Sequence, residues 1–379
     1  MTPRERFVRT LTYQSVDRIP LTPGGPREST LKAWRTQGLP ELPAGVGWFD
    51  YLCEQIGVQR DLPPATQPPQ LDVDFRMIPQ FEEKVLEHRD GHYVVQDWKG
   101  NICEIADTFD VTYLRLARDF VTRRWIRCPV ENRDDWAAMK TRYRLDSANR
   151  FPTDLASRGR ALAERDHVVT VSLTGPFWQL REWCGFEGLC FLMAEQPDFV
   201  AEMAEFWQRF VTDVLGRVFS AVVPDHVLIN EDMAYKEHAM ISPAMVRRFC
   251  QPSWRAWSAQ CRRAGVPVID VDSDGFVGEL IPLWLESGVN VNSPMEVAAG
   301  NDINEYAARF GRSMGYRDGV DKRKMAAGGR ELADELARLA PAIRAGGYIP
   351  GCDHGVPSDV TWPNFVDYSR QLARLTGWL

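Results

Sequence analysis

From residue 165 to the C-terminus, short runs of β-branched and apolar residues alternate with amphipathic stretches, and no other feature of the sequence constrains the fold as strongly. HVVTVSLT (167–174), HVLIN (226–230), PVIDV (267–271), VNVN (289–292), RSMGY (312–316) and GGYIP (346–350) read as strands. Between them the spacing predicts helical sequence to about 222, then helices from Pro243 to about 264, 276–287 ending at Gly288, and 302–310 ending at Gly311. Two more follow at 330–345, with Leu332, Leu336, Leu339 and Ile343 on one stripe, and at 363–377. Strand–helix alternation at this rhythm means βα units and a parallel sheet. Six such units, with further strands upstream, predict an α/β fold of the (β/α)8 TIM-barrel type. A chain of 379 residues fits one such barrel, so residues 1–379 are expected to form a single domain. A doubly wound open sheet is the alternative. No GxGxxG follows any strand, which counts against a dinucleotide-binding version of it.

The first 165 residues depart from this pattern. Thr2-Pro3 reads as the cap of a helix carrying Phe7, Val8 and Leu11, followed by a short strand at Asp17–Leu21 that PGGPREST breaks. DLPPATQPPQ (61–70) is a Pro-rich loop. Turn signals at Asp90-Gly91 and Lys99-Gly100-Asn101 separate runs rich in Val, Tyr, Trp and Ile, which predicts a β-meander inserted at about 72–128. The net charge of −7 argues against a nucleic-acid partner. There is no run of 18 apolar residues to form a membrane-spanning helix, and MTPRERFVRTL lacks the apolar core of an export signal. None of the eight cysteines forms a CxxC pair, so a cytoplasmic protein with reduced thiols is expected.

Barrel enzymes carry their chemistry on the loops after the strand C-termini. In this chain those positions hold Arg27-Glu28, Gly175-Pro176-Phe177-Trp178, Glu231 through Lys236, Asp272-Ser273-Asp274, Ser293 through Glu296, Arg317-Asp318 and Cys352-Asp353-His354. One or two of the acids are expected as helix caps, Asp274 and Asp302 among them. So many carboxylates on one rim need a cation, a shared proton or basic partners such as Lys236 and Arg317. In Asp270-Val271-Asp272-Ser273-Asp274 the alternation of a strand sends the acids to one side and Ile269 and Val271 to the other. The apolar pair faces the helices, so the acids face the barrel interior, either as a site or as core groups bonded to a backbone N–H or a serine. Cys352-x-His354 offers two zinc ligands, with Glu231, Asp272 or Asp274 as oxygen partners. No GxSxG and no Walker-type loop occurs.

At these residues the chain resembles the uroporphyrinogen decarboxylase superfamily. The resemblance runs over nearly the whole length, through MTPRERFVRTLTYQSVDRIPL, INEDMAYKEHAMISP, VDSDGFVGELIPLWLESGVNVNSPMEVAAGND, GVDKR and GGYIPGCDHGVPSDVTWPNF. It implies a (β/α)8 barrel. The decarboxylases themselves bind substrate carboxylates through an Arg-rich RQAGR motif, whereas the equivalent loop here reads PGGPREST with Arg27 alone. The corrinoid-dependent methyltransferase branch uses a His-x-Cys pair and a late Cys on zinc. Here Asp270-x-Asp272 stands near the first position and Cys352 matches the second. The resemblance therefore implies methyl transfer from a small O- or N-methylated substrate to cobalamin on a partner corrinoid protein, with an oxygen-rich zinc site of Glu231, Asp272, Cys352 and His354. Glu231, Asp272, Asp274 and His354 are the catalytic candidates. Arg27, Phe177, Trp178, Tyr235, Lys236 and Arg317 are the substrate-binding ones. A homodimer is the candidate assembly. Two other readings stay open: a metal-free decarboxylase of a cyclic or aromatic acid, in which Asp272 or Asp274 stabilises a protonated intermediate, and a barrel that binds ligand without turnover.

Overall fold

The computed structural model describes residues 1–60, 70–108 and 122–379. The expected Pro-rich loop, apart from Gln70, and the stretch 109–121 of the expected meander lie outside the described residues. Ten strands are present among the described residues: β1 Lys84–Arg89, β2 His92–Gln96, β3 Ile102–Ala106, β4 Arg124–Arg127, β5 Thr170–Thr174, β6 His226–Asn230, β7 Val268–Asp272, β8 Val291–Ser293, β9 Gly315–Val320 and β10 Tyr348–Cys352. The first four form an antiparallel sheet in chain order, the expected meander. The other six form one parallel sheet, also in chain order, each joined to the next through helices.

Local sequence explains the punctuation. Pro176, Pro197 and Pro243 stand in the first turns of their helices, where the missing N–H costs nothing. Gly265 and Gly288 close the helices Gln251–Ala264 and Ile281–Ser287 in the left-handed region, at φ of +92° and +93°, and turn the chain into β7 and β8. Val171, Leu173, Val227, Ile229, Ile269 and Val271 alternate outward from the strands and are buried against the helices. The helix Pro197–Phe219 buries Met203, Trp207, Phe210, Val214 and Val218 on one stripe. Tyr143, Trp183 and Trp207 pack edge-on beside it, with ring centroids 5.5–5.8 Å apart. Seven tryptophans are fully buried, so most of this residue type fills the core.

The helix Pro3–Leu11 starts with a reciprocal cap: Thr2 Oγ1 accepts from Glu5 N–H at 3.1 Å, and Glu5 Oε2 accepts from Thr2 N–H at 2.9 Å. Its Leu11 packs with Val268, Val291 and Ile349 near the strand starts, so this helix plugs the N-terminal end of the sheet. The meander is pinned to the helix Pro176–Cys184. Lys99 pairs with Glu182, whose Oε1 also accepts from Trp178 Nε1 at 2.8 Å.

The expected α/β fold with a parallel sheet is present, and among the described residues that sheet has six strands without a ladder closing it into eight. Two expectations are corrected. Asp17–Leu21 is not a strand. The chain meets β10 slightly later, where Pro23 O accepts from Cys352 N–H at 3.3 Å and Pro26 makes a single parallel bridge to Val356. At the other edge Gln70 spans to β5, donating to Val168 O and accepting from Thr170 N–H, both at 3.2 Å. Finally, β9 begins at Gly315, so Arg317 and Asp318 lie within the strand and not on the loop after it.

Ahead of β6, buried Asp225 accepts from Arg165 Nε at 2.8 Å, Arg4 Nε at 2.7 Å and Val169 N–H at 2.9 Å. Asp225→Asn leaves the Arg165 guanidinium, 3% exposed, without its counter-charge. The expected loss is about 3 kcal/mol, read as a lower urea midpoint at unchanged slope.

Candidate active site

The inward faces of the parallel strands are polar and accessible. Ser172 on β5 is exposed, and Leu228, Asn230, Asp272, Arg317 and Asp318 are partly exposed, although helices cover the outer face of these strands. These side chains share the inner face of the sheet, the cup of the molecule.

Fully buried Asp270 forms the floor. Its carboxylate accepts from Arg317 Nη1 at 2.9 Å, from Ser293 Oγ at 3.1 and 3.2 Å, and lies 3.2 Å from His226 Nε2. Thr170 Oγ1 stands 3.2 Å from His226 Nδ1, so a proton on Nε2 satisfies both contacts. Burial pushes His226 down and keeps the ring neutral. Burial alone would raise the Asp270 carboxyl, but the bonds from His226 and the charge of Arg317 outweigh it and hold the acid ionised.

Asp272 follows on the same face. Burial, then the negative charges of Asp270, Asp274 and Asp318, push its carboxyl up to about 8 against the pull of Arg317. Asp318 is pushed up to about 6, chiefly by burial, with Asp270 and Asp353 adding to it and Arg317 opposing. Asp318 and Gly319 take φ of +68° and +79°, which breaks the pleat of β9 and leaves Arg317 and Asp318 both within electrostatic reach of Asp270. One carboxyl held protonated near neutral pH, Asp272, beside one held ionised, Asp270, makes an acid–base pair.

At the mouth, His354 Nδ1 lies 3.3 Å from Asp274 Oδ1, an ion-pair distance without hydrogen-bond alignment, and the Asp274 contact raises the imidazole. Arg27 packs over Gly355 beside it. Lys322 Nζ lies 3.4 Å from both Glu296 and Asp353. Glu296 also accepts from Gly275 N–H at 3.0 Å, and Asp353 from Val297 N–H at 3.0 Å, so the loops after β7 to β10 brace one another.

Several expected site residues stand elsewhere. Glu231 is fully buried: it accepts from the Phe177 and Trp178 N–H groups at 3.1 and 3.3 Å and from Trp254 Nε1 at 2.5 Å, capping the helix Pro176–Cys184. Gly175 is required there, because a Cβ would fall 2.1 Å from Glu231 Cδ. The Phe177 ring is in the core. Trp178 is partly exposed but holds Glu182. Tyr235 and Lys236 sit on an exposed turn bridged by Ala234 and Ala239, with Tyr235 edge-on to Phe186. Cys352 is buried against Gly24, with its thiol raised far above the ordinary range. Among the described residues no three His, Cys, Asp or Glu side chains stand close enough to hold a metal ion. The expected zinc quartet of Glu231, Asp272, Cys352 and His354 is therefore not gathered among the described residues, and Glu231 is already taken up by three donors. Asp302 is the helix cap it was expected to be, whereas Asp274 pairs with His354 instead. His226 escaped sequence reasoning, whereas Ser293 and Asp318 were placed after their strands without a role of their own. His226-x-Leu228-x-Asn230 could have revealed the first, since alternation puts all three on the face that Asp270 shares.

No family model matches the chain, and no curated protein matches it in sequence. Among solved structures, the fold is similar to that of a methyltransferase from Methanosarcina mazei, with a TM-score of 0.57, 13% identity and 98% of each chain covered.

Because the Asp274 contact lifts His354 above its ordinary 6.5, the pair stabilises the fold fully below that pH, and its contribution fades as pH rises through the raised value. Asp274→Asn is expected to move the His354 ring-proton titration downward by NMR and to remove this pH dependence.

Proposed function

We propose that the chain is a methyltransferase with a (β/α)8 barrel of the uroporphyrinogen decarboxylase superfamily, taking the methyl group of a small O- or N-methylated substrate for transfer to a corrinoid protein. The observation that carries this reading is Asp272, a carboxyl kept protonated near neutral pH and facing an open cup. The barrel is supported by six successive parallel strands in chain order, flanked by residues 23–26 at one edge and Gln70 at the other. Similarity in fold to the methanosarcinal methyltransferase supports the reaction class.

Cob(I)alamin on the partner would be the co-substrate that accepts the methyl group. The groups of this chain handle the other half of the chemistry. As the carbon–heteroatom bond breaks, the leaving oxygen or nitrogen needs a proton, and Asp272 is placed to give it. The resulting carboxylate is stabilised by the adjacent Arg317 charge. His354, partly exposed at the mouth, can return the proton from solvent. No step is routed through zinc, since the residues expected to hold it do not gather.

A protonated carboxyl in the cup also suits protonation of a ring carbon, so a metal-free decarboxylation of a cyclic or aromatic acid is the second reading. One experiment separates the two. Purified protein is incubated with methylated and carboxylated substrates, with and without cob(I)alamin. Formation of methylcobalamin supports the first; carbon dioxide release without corrinoid supports the second. In the methyl-transfer assay, kcat is expected to fall above a pH of about 8, where Asp272 loses its proton. Asp272→Asn should lower kcat by about 10²–10⁴-fold.

The same residue makes an opposite prediction for stability. The folded state holds the Asp272 proton between its ordinary 3.8 and about 8, while the unfolded state releases it, so stability falls as pH rises through that window. Asp272→Asn removes the loss, and urea denaturation at neutral pH should show a gain on the order of 2 kcal/mol.

A further inference from the structure

The guanidinium of Arg317 is bound on one side only. Its Nη1 donates to Asp270, while Nε and Nη2 make no hydrogen bond among the described residues. Neither nitrogen is shut away as a buried orphan, and the side chain is 26% exposed although β9 is paired on both sides. The Phe7 ring, 5.9 Å away on the N-terminal helix, backs the group from below. Asp270 itself cannot swing: His226 from β6 and Ser293 from β8 hold it from either side.

We propose that Arg317 is the specificity-determining residue of the cup, anchoring a single carboxylate of the substrate, and that Asp270 is the positioning residue that fixes it for that contact. This rests on reading the cup as the active site. A guanidinium already tethered through one nitrogen presents its remaining N–H groups as a preset fork, and a planar carboxylate matches that fork where a neutral amide or alcohol does not. Tethering also lowers the ordering cost that a free arginine would bear on binding. The number of anions is limited by the same wall. Asp272 and Asp318 line it beside Arg317, so a second acid group on the substrate would face carboxyls with no further guanidinium to meet it. The substrate class is therefore a methylated monocarboxylic acid, not a dianion and not a neutral ether or amine.

The test is equilibrium binding of benzoate, benzamide and phthalate to the full-length protein, with the Arg317 side-chain Nε–H signal followed by ¹⁵N NMR. Benzoate should bind about tenfold or more tightly than benzamide, phthalate no better than benzamide, and only benzoate should shift the Arg317 signal. Arg317→Lys should abolish the preference for benzoate. Asp270→Asn should weaken it while leaving benzamide affinity unchanged, a split that general damage to the fold would not produce. If Asp270→Asn does not fold, the wild-type NMR result decides alone. Equal affinity for benzoate and benzamide, an unmoved Arg317 signal, or failure of all three probes to bind overturns the proposal. Benzoate selectivity without any methyl transfer would instead sink the methyltransferase reading and leave the anchor standing. Methyl transfer from neutral substrates without benzoate selectivity would do the reverse.

Discussion

A single carboxylate holds the floor of the cup together. Asp270 on β7 takes donors from β6, β8 and β9 through His226, Ser293 and Arg317, so one buried charge fastens four neighbouring strands across their inner face. A buried ion pair of this kind is weak evidence for net stability, because desolvation cancels much of the attraction. Its value lies in what it imposes on its neighbours. Burial, with the charge of ionised Asp270 added to it, outweighs the pull of Arg317 on the next carboxyl along the strand, and Asp272 keeps its proton. The proposed chemistry is thus a consequence of the floor and not of Asp272 alone.

The rest of the cup is built to keep that electrostatic pattern rigid. The loops after β7 to β10 are crosslinked through Glu296, Lys322 and Asp353, and the helix after β5 is capped from inside by Glu231. The meander, pinned through Lys99 to Glu182, braces the same helix from outside. Side chains on strands and braced loops hold their geometry better than side chains on free loops, which is what proton donation at a fixed distance requires.

Much of this was legible in the residues. The alternation of strands and helices predicted the parallel sheet, and the period of two in Asp270-Val271-Asp272 placed both acids inside. The serine partner considered for Asp270 is real, although it comes from β8. What could not be read depended on distant pairing. Asp318-Gly319 has the chemistry of a turn, yet here its left-handed pair sits inside β9, because β10 continues to pair alongside it as far as Val320. That shift of register moved Arg317 from the loop to the wall. Glu231 looks like a rim acid in one dimension, and only the approach of Gly175 and Trp254 turns it into a cap. Closure into eight strands failed to appear among the described residues because the segments at both edges touch the sheet through isolated bonds and not through ladders.

Charge sets the tightest limit on what the cup can accept. A porphyrinogen bearing many acid arms needs several guanidinium groups, whereas among the described residues the N-terminal loop contributes Arg27 and the inner wall Arg317, the latter half occupied by Asp270. Bringing more than one anion against Asp272 and Asp318 would set like charge beside like charge and raise the cost of binding. Under the proposed reading, a small acid with one carboxylate completes the coordination of Arg317 without setting a second anion against Asp272 and Asp318.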